Sequence, residues 1–153
     1  TKKDLNIIAK NLAKELDLRS KDFYLDSPVD KYNIIEKKFL FQSKKVGNVL
    51  SGKKNQWNIF INTSKKITIE DPVYCRSIFL NSVNNLKDLQ RILPLNTQSM
   101  GIFVSKKRKQ GVIKFFSNFG IDRFPAIGKM SIYENPWDGY LPLQQMVRWV
   151  SSN

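Results

Sequence analysis

Between Arg76 and Ile127 the sequence alternates apolar segments of extended type with segments of helical periodicity. The joins are short, and a proline or a glycine follows each helical segment. Alternating strands and helices with short joins imply crossover connections and parallel strands. The pattern therefore predicts an α/β fold with a mainly parallel sheet. The predicted strands are 76–83, 100–104 and 121–127, and the predicted helices are 84–93 and the segment capped by Ser105.

The first 52 residues are predicted to be a helical lead-in. Apolar residues recur every three or four positions over 4–16, which is typical of a helix. A second helix is predicted to begin at Ser27-Pro28, since serine caps helices and proline suits their first position. The apolar positions of the first helix are Leu5, Ile8, Leu12 and Leu16. The predicted buried face of the second is Val29, Tyr32, Ile35 and Phe39, and Gly47 and Gly52 indicate a loop after it.

Residues 56–62 alternate between two faces, which predicts a strand. One face carries Trp57, Ile59 and Ile61, and the other is moderately polar. A short strand over 67–69 and a final helix over 143–150 are also predicted. The domain prediction is a single domain or a C-terminal fragment, with a lead-in 1–52, an α/β portion 53–153 and a tail 120–153. The length of 153 residues suits one domain, and Thr1 in place of Met suggests a fragment or a processed product.

The absence of histidine is the strongest restriction on function. It excludes a Ser-His-Asp triad, a Cys-His pair and a His-ligated metal site within these residues, so no catalytic residue and no metal ligand is predicted. Cys75 is the only cysteine, so no internal disulfide can form, which fits a reducing cytoplasm. Cys75 has no histidine to activate it, and its predicted strand position favours a packing role.

The net charge of +13 favours polyanionic partners such as nucleic acid, although much of it can serve solubility alone. The densest cluster is Lys106-Lys107-Arg108-Lys109, at the start of the predicted helix after Ser105. These four residues are candidates for anion binding. The structural alternative is a solvated first turn, in which the positive charges oppose the helix dipole. Aromatic residues are not interleaved with them, so the pattern for stacking single-stranded nucleic acid is weak.

The tail from Gly120 to Trp149 places glycines, prolines and tryptophans in a non-repeating segment, which indicates shaped, irregular backbone. Arg123, Trp137, Asp138 and Arg148 are candidates to line a site or a subunit contact. The alternative is a structural staple in which the tryptophans pack and Arg148 pairs with Asp138. A second candidate, Glu70, belongs to an acidic pair before a predicted strand, where a loop role is the alternative.

The tail resembles the C-terminal part of the fatty acyl-CoA reductases of the bacterial bioluminescence type, a branch of the aldehyde dehydrogenase superfamily. That family has a Gly-x-(Asp or Thr)-Arg-x-x-Pro-x-Gly pattern, followed by Asp-Gly and a Leu-rich run ending Val-Arg-Trp. The matching residues here are Gly120, Asp122, Arg123, Pro125, Gly128, Asp138, Gly139 and 147–149. Weaker matches are 98–101 and the strands at Trp57 and at 76–80. Residues 1–52 match only in being helical.

The resemblance implies reduction of a fatty acyl thioester, of coenzyme A or of a carrier protein, to an aldehyde with NADPH. It also implies an aldehyde-dehydrogenase-like catalytic domain, oligomer contacts through the tail, and a cysteine nucleophile upstream of the region matched. Glu70 falls near the carboxylate that holds the nicotinamide ribose in aldehyde dehydrogenases. No residue here matches the nucleophile, and the glycine-rich nucleotide-binding half has no counterpart. The chain alone is therefore expected to be inactive and not to bind NADP.

Two other functions stay open. The first is a basic nucleic-acid-binding module that uses the cluster at 106–109. The second is a non-catalytic interaction domain with a protein partner. No apolar run is long enough to cross a membrane and the start has no signal-peptide pattern, so a cytoplasmic location is predicted.

Overall fold

A computed structural model describes residues 2–20, 28–67, 69, 76–136, 139–148 and 150–151. The chain divides into two compact units, 1–92 and 93–153, which are described separately. The first unit contains α1 (Lys2–Arg19), α2 (Pro28–Ser43), β1 (Gly47–Ser51), β2 (Asn58–Asn62), β3 (Ser77–Leu80) and α3 (Leu86–Gln90). The second contains α4 (Lys106–Ser117) and a single helical turn, α5 (Pro142–Gln145).

The sheet of the first unit is mixed. β1 pairs with β2 in antiparallel register, with Val49 opposite Phe60. β2 pairs with β3 in parallel, with Ile59 opposite Ile78. The prediction of an α/β fold is confirmed, but the prediction of a mainly parallel sheet is not. The difference arises from β1, which occupies the stretch between two glycines that was interpreted as a loop.

Both glycines that flank β1 are required by close packing. A Cβ atom on Gly47 would collide with the carbonyl oxygen of Ile61 on the neighbouring strand. A Cβ atom on Gly52 would collide with the indole of Trp57. These glycines therefore allow a tight antiparallel hairpin, and their presence is compatible with a strand between them.

β2 is the central strand, and all five of its residues are buried. One face packs against α1, where Ile59 and Ile61 join a core cluster with Leu5 and Ala9. On the other face, the Phe60 ring meets Phe41 of α2 edge-on at 5.3 Å and stacks on Phe79 of β3 at 4.5 Å. The two-faced strand predicted over 56–62 is thus confirmed, with a helix covering each face.

The buried face predicted for α2 is wrong in the part that the structure describes. Tyr32, Ile35 and Phe39 are exposed, whereas Ile34 and Phe41 are buried. Apolar residues lie on several sides of this helix, so periodicity alone does not select the buried one. The edge contact between Phe41 and Phe60 is what selects it. In α1 a similar one-residue difference occurs, because Ala9 is buried and Ile8 is half-exposed.

The second unit has less regular structure than predicted. The predicted strands 100–104 and 121–127 are reduced to two isolated parallel bridges, Ser99 with Arg123 and Ile102 with Ala126. α4 forms where Ser105 predicts it and buries Val112 and Phe116. The last helix, predicted over 143–150, ends at Gln145. Of the short strand predicted at 67–69, the described residues Ile67 and Ile69 have no regular structure.

Candidate functional site

The site that the tail motif builds begins with two parallel segments on either side of α4. The backbone N–H of Met100 donates to the Arg123 carbonyl at 2.9 Å, and that of Ile102 donates to the Pro125 carbonyl at 2.9 Å. Gly120, with a φ of 82°, ends the turn after α4 and directs the chain back along the first segment. The backbone of the Gly-x-Asp-Arg motif is therefore held in an extended conformation.

Arg123 is the buried charge of this unit, with 6% of its surface exposed. Its Nη1 donates to the Met130 carbonyl at 2.8 Å and its Nη2 donates to the Ile132 carbonyl at 2.6 Å. Its Nε lies 3.4 Å from Glu134 Oε2. A buried guanidinium is tolerated when its donors are satisfied, and here backbone carbonyls and one carboxylate satisfy them. Arg123 therefore fixes the path of residues 130–134.

Gly139 brings the second motif of the tail against the first. Its φ is 80°, and a Cβ atom there would lie 2.9 Å from the Asp122 carboxylate. A residue other than glycine would be strained in this conformation and would also crowd Asp122. The glycine of the Trp-Asp-Gly motif and the aspartate of the Gly-x-Asp-Arg motif are thus in contact.

The other predicted site residues are not assembled around Arg123. Arg148 is exposed, and Lys106 to Lys109 form the exposed first turn of α4. Glu70, Trp137 and Asp138 lie outside the described residues, as do Cys75 and Trp149. The proposed pairing of Arg148 with Asp138 therefore stays a prediction.

A polar cluster in the first unit was not predicted from the sequence. Lys38 Nζ donates to Ser51 Oγ at 2.8 Å and to Asn55 Oδ1 at 2.9 Å. Ser51 Oγ in turn donates to Oδ1 of the fully buried Asn58 at 2.8 Å. Burial lowers the pKa of Lys38, because desolvation disfavours its charged form. Lys38 is one of four lysines in α2 and nothing in its sequence position distinguishes it; the only signal was the unusual Asn58 within an apolar strand.

An open groove of about 550 Å³ lies on α1 beside β1. Its lining is mainly apolar, with two lysines and one aspartate, and comprises Lys10, Ala13, Lys14, Asp17, Leu18 and Leu50. The Trp57 indole Nε1 donates to Asp17 Oδ1 at 2.8 Å, which fastens this part of α1 to the start of β2. The groove was not predicted, because it depends on β1.

Within the described ranges, no group of three or more Cys, Asp or Glu side chains is arranged to hold a metal ion. No helix in the same ranges combines the length and apolar character that crossing a bilayer requires.

Comparison with known proteins gives one family. The family model described as acyl-CoA reductase (LuxC) matches residues 9–149. No curated protein matches the chain. The family match begins inside α1 and so extends the resemblance seen in the sequence, which was limited to helix content before residue 53.

Proposed function

The chain belongs to the acyl-CoA reductase (LuxC) family, and on that premise we propose that it is the C-terminal region of an enzyme that reduces a fatty acyl thioester to an aldehyde with NADPH. The observation that carries the proposal is the family match over 9–149. The reaction class divides into two steps, in which a cysteine thiolate displaces the thiol of the thioester and a hydride then releases the aldehyde. NADPH supplies that hydride when bound.

The residues of this chain do not fit a complete NADPH site. The glycines at 101, 111, 120 and 128 are too scattered for a phosphate-binding turn. Gly111 lies inside α4, and Gly120 ends the turn after it. We therefore assign the nucleophile and most of the cofactor site to other parts of the enzyme. Glu70 stays a proposed contact to the nicotinamide ribose.

We assign a positioning role to the tail. Arg123 holds residues 130–134 through two backbone carbonyls, and Gly139 lies against Asp122. These contacts give the segment after α4 a defined shape although it has little regular secondary structure. A shaped segment of this kind is suited to a contact with the rest of an aldehyde-dehydrogenase-like domain or with a second subunit. Trp137, Asp138 and Arg148 are proposed to take part in that contact.

The deciding experiment is an assay of the native protein that carries this chain. Its mass is measured first in its own host with an antibody to the chain. The purified protein is then given a fatty acyl-CoA and NADPH, and both NADPH oxidation and aldehyde formation are followed. Aldehyde formed in proportion to NADPH consumed supports the proposal. A native product of about 17.8 kDa that forms no aldehyde would reject it.

The two other functions make different predictions. Lys106 to Lys109 are all exposed on α4, so a nucleic-acid-binding module would bind DNA or RNA with an affinity that falls steeply as salt rises. Absence of retention on either polymer at low salt removes that function. A non-catalytic interaction domain predicts a stable protein partner recovered with the native chain and no turnover of acyl thioesters.

A further inference from the structure

We propose that the groove on α1 binds the substrate of the proposed reductase, a long-chain fatty acyl-coenzyme A, with the acyl chain on its apolar floor and the coenzyme phosphates at Lys10 and Lys14. The inference rests on the proposed function for the identity of the ligand. The location rests on the groove itself, which is separate from the Arg123 site and from the polar cluster at Lys38.

The shape and lining of the groove fit an acyl chain. Its volume of about 550 Å³ lies within the range of small-molecule sites. Ala13, Leu18 and Leu50 supply apolar surface from both α1 and β1. Leu18 is 66% exposed, so covering it with a ligand removes apolar surface from water. The hydrocarbon chain of the thioester is the part of the substrate that gains from this surface.

The charges at the groove fit the head of the same molecule. Lys10 and Lys14 are one helical turn apart and both are exposed. Coenzyme A carries several phosphate charges close to its thioester arm, so two neighbouring ammonium groups beside an apolar floor complement it. Asp17 is the opposing charge, and one of its oxygens already accepts the indole N–H of Trp57. The net charge of these three side chains therefore favours an anionic ligand.

Trp57 and Asp17 make the groove a built feature of the fold. The hydrogen bond between them ties the C-terminal half of α1 to the sheet, and Ala13 and Leu50 both pack against the core cluster. The lining residues thus keep their spacing before any ligand arrives, which lowers the ordering cost of binding.

The test measures equilibrium binding to the protein that carries this chain, without NADPH, by isothermal calorimetry. The probes are dodecanoyl-CoA, shorter acyl-CoAs, coenzyme A alone and dodecanoate. We expect dodecanoyl-CoA to bind more tightly than either of its parts. Affinity should rise by about two- to fourfold per methylene as the chain lengthens, until the groove is filled.

Two variants locate the site. The pair Lys10→Glu and Lys14→Glu should weaken dodecanoyl-CoA binding by about tenfold at low salt and by less at high salt. Leu18→Gln keeps a good helix former at an exposed position and should weaken binding by about threefold. The matched control is Lys65→Glu with Lys66→Glu, the same charge change at two exposed lysines of the same unit. It should leave the dissociation constant unchanged.

The outcomes separate this inference from the proposed function. If the protein reduces acyl-CoA but the groove variants keep the parental dissociation constant and KM for acyl-CoA, the groove is not the substrate site and the reductase proposal stands. If binding follows the groove variants but no NADPH is oxidised, the groove proposal stands and the reductase proposal falls. Control and groove variants that weaken binding equally would show a general charge effect and would overturn the groove.

Discussion

Trp57 and Asp17, forty positions apart in the sequence, are joined by a hydrogen bond of 2.8 Å from the indole Nε1 to the carboxylate Oδ1. Trp57 is 4% exposed, so its N–H has little access to water as an alternative partner. The bond connects α1 to the residue that precedes β2, and it therefore fixes the floor of the groove as well as the core beneath it.

Asp17→Ala should lower the free energy of unfolding by about 1–3 kcal/mol, because it leaves the buried indole N–H without its acceptor. Asp17→Asn retains an oxygen at the same place and should cost less. Urea unfolding followed by far-ultraviolet circular dichroism measures both. Equal midpoints for the alanine variant and the parent protein would show that the indole finds another partner.

Arg123→Ala should destabilise the second unit by about 1–3 kcal/mol, because the Met130 and Ile132 carbonyls lose a charged donor. It should also make residues 130–134 more sensitive to limited proteolysis. The control Arg148→Ala changes an exposed arginine of the same unit and should shift stability by about 0.5 kcal/mol or less. Unchanged melting and unchanged oligomer size for Arg123→Ala would contradict the positioning role given to this residue.

Gly139→Ala and Gly111→Ala should have opposite signs. At Gly139 the φ of 80° and the nearby Asp122 carboxylate oppose a side chain, so alanine should cost about 1–3 kcal/mol. At Gly111, inside α4, a Cβ atom meets nothing within 4 Å. Alanine there should stabilise by about 0.5–1 kcal/mol, since it restricts the unfolded chain and favours the helix. Thermal unfolding of both proteins gives the comparison, and a neutral Gly139→Ala would refute the contact described.

Lys38 should make stability depend on alkaline pH. Burial lowers its pKa below the usual 10.5, so between the folded pKa and 10.5 the unfolded state binds more protons. Its contribution to stability is therefore least favourable below the folded pKa and improves as pH rises through that window. The free energy of unfolding of the parent protein, minus that of Lys38→Met, should increase from neutral pH toward 10.5. A difference that stays constant with pH would contradict the burial of this amine.

The sequence predicted what depends on local pattern. α1, α4 and β2 follow from apolar spacing and capping residues, and the family follows from the spacing of Gly120, Asp122 and Arg123. What escaped prediction depends on packing partners distant in the sequence. Ile34 rather than Ile35 is buried because the helix face is chosen by contact with the sheet, and β1 was hidden because its flanking glycines also suit a loop.

The tail shows the same division. Its glycines correctly indicated irregular backbone, and two of them, Gly128 and Gly139, have positive φ. The partners of Arg123 could not be predicted, because they are carbonyl groups, which every residue possesses. Only the folded path of residues 130–134 decides which carbonyls face the guanidinium.

The mixed sheet also implies an order of assembly. β1 and β2 are neighbours in the sequence and close through the short turn over 52–57, so their pairing costs little loop entropy. β3 must return in parallel after a longer excursion before it can pair with the other side of β2. We expect the hairpin to form on the order of 1–10 μs and β3 to join afterwards. The antiparallel strand that the sequence did not reveal would then be the template on which the parallel strand is laid down.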